Sequence, residues 1–161
     1  MMRLSDEEID RLIGEPKPLP GNYRSLMRLR IKKGHRERDL DVTGSNEHEF
    51  RIIQRQSGSN VLDFSIILAY RPRETNELFL LRRYNGRSHE HTNSIEAQTF
   101  YAFHIHQATE RYQDLGAKEA SYARPSTEYA SIEEAVERMF EECGFIVPPE
   151  IPSPQSRMFK D

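Results

Sequence analysis

Four of the six histidines fall within one stretch as two His-x-His pairs, His89 with His91 and His104 with His106. In an extended strand alternate side chains share a face, so each pair can set two imidazoles about 7 Å apart on one side. Imidazole titrates nearest to neutral pH, and it also suits zinc, nickel, copper and iron. Three chemistries follow. In metal-independent RNA cleavage, one histidine takes the 2′-hydroxyl proton and another protonates the leaving 5′-oxygen. Arg82, Arg83 or Arg87 then offsets the charge on the phosphorane. In a divalent transition-metal site, Glu90 or Glu96 adds an oxygen ligand to the imidazoles. In a structural network, the histidines with Asn85, Thr92 and Asn93 tie a long loop to the sheet by hydrogen bonds. The spacing does not choose among the three. The candidate catalytic residues are His89, His91, His104 and His106, and the candidate substrate-binding residues are Arg82, Arg83, Tyr84, Asn85, Arg87 and Asn93. No cofactor is required beyond such a metal.

Other constellations are weaker. No Gly-rich phosphate loop, serine elbow or Cys-His pair is present, which removes support for nucleotide-triphosphatase and acyl-transfer readings. His35 and His48 stand alone among charged residues and are expected on the surface. Cys143, the single cysteine, can form no internal disulfide and closes a helical apolar stripe, so it is assigned a packing role.

The elements that must position the histidines can be read from capping and periodicity. Ser5 and Glu8 form a capping box ahead of Ile9, Leu12 and Ile13, which predicts a short N-terminal helix. Met27, Leu29 and Ile31 alternate with Arg28, Arg30 and Lys32, the period of a strand with a basic outer face. Further strands are predicted over 36–42, 48–56, 61–70, 77–84 and 99–106. Asn85-Gly86 suits positive φ in a tight turn. In the last strand Tyr101, Phe103 and Ile105 face the core, leaving His104 and His106 together on the outer side. Residues 107–115 form a short helix stopped by Gly116. The clearest helix is 131–143, capped by Ser131 and Glu134, with a stripe of Ile132, Ala135, Val136, Met139 and Phe140.

These elements predict an α+β domain: one twisted antiparallel meander sheet of about five to seven strands, with the C-terminal helix on one face and the N-terminal helix at an edge. Residues 1–22 form the helix and a Pro-rich connector, 23–147 the single domain, and 148–161 a Pro-rich tail. With 161 residues, 36% hydrophobic and 30% charged, the chain has a modest core under a charged surface. The longest apolar run, 64–70, is strand-sized, and the N-terminus has no apolar secretion core. A cytoplasmic protein with no membrane contact is expected. The formal charge of −3 is uneven, with seven basic residues from Arg24 to Arg38 and five glutamates from Glu133 to Glu142. Such a basic stripe attracts phosphate or an acidic partner, and it also protects an edge strand.

The run from Leu80 to Asn93, with Asn85-Gly86 before His89-Glu90-His91, and then Phe103-His104-Ile105-His106, resembles the TumE-like group of small prokaryotic proteins. The likeness spans about residues 23–143, and its motif character lies in 80–106. Greater length, the N-terminal helix and the second His-x-His set this chain apart from the group, as membership of a sister family would. The resemblance implies a toxin of a toxin-antitoxin pair, acting on RNA as a ribonuclease and partnered with a DNA-binding antitoxin. The alternative from another class is a non-catalytic module that binds protein or nucleic acid, its histidine loop structural. A homodimer is compatible with either.

Overall fold

A computed structural model describes residues 2–149. In chain order the elements are α1 (Asp6–Gly14), β1 (Lys17–Pro18), α2 (Tyr23–Leu26), β2 (Arg30–Lys32), β3 (His35–Thr43), β4 (Glu49–Ser57), β5 (Phe64–Arg71) and β6 (Phe79–Asn85). They continue with β7 (His91–Asn93), β8 (Gln98–Phe100), β9 (His104–Gln107), α3 (Glu110–Asp114), β10 (Tyr122–Pro125), α4 (Ile132–Glu142) and β11 (Phe145–Ile146).

The main sheet has seven strands in the order β10-β9-β6-β5-β4-β3-β2, every neighbour antiparallel. It is the expected α+β meander with one excursion. Between β6 and β9 the chain leaves the sheet, makes the small β7–β8 hairpin, and returns to pair with the strand it left. The side-chain period of two then sorts the sheet into two layers. On one face Ile52, Ile66, Leu68, Tyr84 and Ile105 pack under α1 and α4 in the main core. Ser131 accepts a hydrogen bond from the Glu134 amide and starts α4, which buries Ile132, Ala135, Met139 and Phe140. The other face carries Ser65, Ile67, Arg83, Asn85, His104 and His106, partly roofed by the hairpin.

Several expectations need correction. Of the alternating segment 27–32 only Arg30–Lys32 is extended, and Ile31 is exposed, because β2 is the sheet edge. Its start is displaced by α2, which delivers Met27 to the core, where Gln54 donates to the Met27 carbonyl. The strand expected over 99–106 is two strands in different sheets. Gly86 is not in the positive-φ region. It is needed because a Cβ there would sit 1.9 Å from the Leu62 carbonyl oxygen. Gly116 does terminate α3 with φ +82°. The N-terminal residues join the main core: Ile9, Leu12 and Ile13 are buried in it, and β1 pairs in parallel with β11. The tail from residue 150 onward lies outside the described residues. Among the described residues, no helix is long and apolar enough to cross a membrane.

Candidate metal centre

β6 and β9 pair so that Arg83 lies opposite His106 and Asn85 opposite His104. Tyr129, buried ahead of α4, brings its hydroxyl within 2.7 Å of the Asn85 carbonyl and 2.9 Å of the His104 carbonyl, tying the two strand ends. His104 and His106 therefore share a face, as their spacing predicts. They are not open to solvent, however, at 0% and 3% exposure. The hairpin covers them and brings His91 down between them. Ring centroids are 5.4 Å apart for His91 and His104, 4.8 Å for His91 and His106, and 4.9 Å for His104 and His106.

Asn93 holds the hairpin there. It is fully buried, its Nδ2 donating to the Ala123 carbonyl at 2.6 Å and its Oδ1 accepting from the Ala123 amide at 2.9 Å. The side chain thus satisfies the outer edge of β10, while the inner edge of the same strand pairs with β9 at Ala123 and His106. A hairpin residue thereby ties His91 to the outer strand of the sheet.

The hydrogen bonds fix each ring's tautomer. His104 Nδ1 lies 2.8 Å from the Ala102 carbonyl and His106 Nδ1 2.9 Å from the Ala120 carbonyl. A carbonyl only accepts, so both Nδ1 atoms carry hydrogen and both Nε2 atoms keep a lone pair. The Asn93 oxygen that accepts from Ala123 also faces His91 Nε2 at 2.8 Å, so His91 carries its hydrogen on Nε2 and its lone pair on Nδ1. Each imidazole is oriented by an oxygen outside the cluster, as metal-ligating histidines are. One ligand atom from each of His91, His104 and His106 lies within 4.8 Å of the others. Tetrahedral zinc with bonds of about 2.0–2.1 Å sets its nitrogens about 3.3 Å apart, so the rings must draw in by about 1.5 Å to hold an ion.

Burial lowers the pKa of His104 to about 4 and that of His106 to about 2, the Arg83 guanidinium adding to the second shift. Both rings are neutral at pH 7, which suits ligation and withdraws the proton donor that metal-free RNA cleavage asks of this pair.

Comparison with family models, curated proteins and solved structures gives no match. The site is therefore read from its own residues. His89 stands at the rim, exposed, its ring edge-on to His104 at 5.8 Å and its Nδ1 3.1 Å from the Ser88 hydroxyl. Arg83 donates to His106 Nε2 at 3.1 Å, and Asn85 lies 3.4 Å from His104 Nε2 while accepting from Ser65. Arg87 is exposed over the Tyr101 ring. Arg82 and Tyr84 point to the opposite, helix-covered face, because the alternation through β6 separates them from Arg83 and Asn85. There Tyr84 donates to Glu142 and Arg82 to Gln107, so neither can meet a substrate at the histidines. Neither Glu90 nor Glu96 joins the cluster, and Glu96 is engaged by Arg111 and Tyr112.

His35 and His48 are half-buried and paired with Glu37 and Glu15, not isolated. Cys143 is fully buried, in keeping with packing. The carbonyls of Ala102 and Ala120 carry no side-chain signal and could not be anticipated. Lys118, which lines the cleft beside the cluster, is brought there by tertiary folding.

Proposed function

We propose that the chain is a small metal-dependent phosphodiester hydrolase centred on His91, His104 and His106, with RNA as substrate and a toxin-like role as the resemblance to TumE-like proteins implies. One observation carries the metal reading: three imidazoles, each held by an external oxygen, bring one ring nitrogen apiece within 4.8 Å of one another. Three histidine ligands leave a fourth position open, the pattern of catalytic rather than structural zinc. A bound divalent ion would supply Lewis acidity and lower the pKa of water. The chain's own residues orient the rings, bury His104 beneath the hairpin, and place Arg83 where anionic charge can be met. His89, exposed at the rim, is assigned proton transfer.

The competing reading, a binding module with a structural histidine network, draws on the contacts to Arg83 and Asn85, which occupy the lone pairs of His106 and His104 in this conformation. His91→Asn separates the two, because His91 belongs to the hairpin and its loss spares the sheet. A metal enzyme should lose RNA cleavage by about 10²-fold or more with melting nearly unchanged. A wild type that cleaves no RNA with any divalent ion, together with a destabilised variant, supports the structural network.

A further inference from the structure

We propose that Arg83 and Lys118 form a phosphate-binding pocket beside the histidines, an inference that rests on the metal-centre reading and names the substrate's anionic group. A cleft of about 410 Å³ opens onto the cluster, lined by Arg83, His91, His106, Thr92, Lys118 and Ser121 among others. Two cations face it against one carboxylate, and that carboxylate, Glu119, is engaged by the Leu80 amide at 3.0 Å. Arg83 is the unusual member. Its Nε is buried without a hydrogen-bond partner, as are those of Arg82 and Arg138. But Arg138 pairs with Glu128 and Arg82 donates to Gln107 and Tyr84, whereas Arg83 has no carboxylate within ion-pair distance among the described residues and donates to His106. A guanidinium withdrawn from water without a counter-ion is costly, and its planar fork matches the oxygens of a phosphate.

The one contact Arg83 makes with the cluster is with His106 Nε2, the same lone pair that a metal would take. The two occupants are exclusive. A bound ion frees the guanidinium at the cleft wall and adds positive charge beside it, so metal should tighten phosphate binding. By reciprocity phosphate should tighten metal binding by the same factor. Ser121 holds the Lys118 segment at the cleft wall by donating its hydroxyl to the Lys118 carbonyl at 2.7 Å.

The test titrates inorganic phosphate calorimetrically into untagged protein, metal-free and loaded with nickel, for wild type, Arg83→Gln and Lys118→Ala. Wild type should bind phosphate about tenfold or more tightly when loaded. Arg83→Gln should keep its nickel and lose most of that affinity, and the exposed Lys118→Ala should weaken it several-fold without changing metal uptake or melting. Equal phosphate affinity in wild type and variants, or none in the loaded wild type, overturns the pocket and leaves the metal centre standing. Should Arg83→Gln fail to fold, unchanged affinity in Lys118→Ala decides against the pocket. A wild type that takes up no nickel removes the metal centre and this inference together.

Discussion

His104 and His106 differ from surface histidines because each has its Nδ1 hydrogen committed to a backbone carbonyl and its ring removed from water. The consequence for stability has a definite sign. In the unfolded chain both rings take up protons near pH 6.5, whereas in the folded metal-free protein they remain neutral down to about 4 and about 2. The unfolded state therefore binds more protons below about pH 6.5, and acid lowers stability by up to about 1.4 kcal/mol per pH unit for each ring. Thermal melts in chelator from pH 7 to 4 should show this loss, and His106→Asn should show a shallower slope from a lower starting point. Equal slopes in the two proteins would mean that His106 is not held neutral.

The β7–β8 hairpin is the element on which the site depends, and its attachment runs through Asn93. Asn93→Ala removes both hydrogen bonds to Ala123 and the acceptor that orients His91, leaving a buried amide unpaired at a cost of about 1–3 kcal/mol. Metal affinity should fall by about 10–100-fold, as for other residues that orient ligands, while the sheet persists. Competition titration and far-ultraviolet circular dichroism check the two halves of that expectation. The long strands and both capped helices were legible because alternation, apolar stripes and Ser-x-x-Glu caps are local signals. The hairpin was not, since its strands are three residues each and polar, and its docking is a contact between residues 30 apart. The shared face of His104 and His106 was readable from spacing. Their burial was a tertiary outcome.

At the scale of the molecule, the N-terminal segment closes the helical layer instead of hanging from it. Lys17 is fully buried, its ammonium within hydrogen-bonding distance of the carbonyls of Leu12, Ile13, Glu15 and Cys143, so one charge joins the ends of α1 and α4. Burial lowers its pKa to about 8, which leaves it largely protonated at pH 7. Lys17→Met should lower the melting temperature, because carbonyls left without a donor cost about 1–3 kcal/mol each, yet metal uptake at the opposite face of the sheet should be retained. Loss of metal in a folded Lys17→Met would show that the two layers are coupled.

The central claim is that His91, His104 and His106 hold one ion. It is tested most directly by elemental analysis of untagged protein equilibrated with zinc and freed of excess by gel filtration, beside His91→Asn. The expected result is one zinc per chain in the wild type and a small fraction of that in the variant. Metal-free wild type, or equal zinc in both proteins, would contradict it.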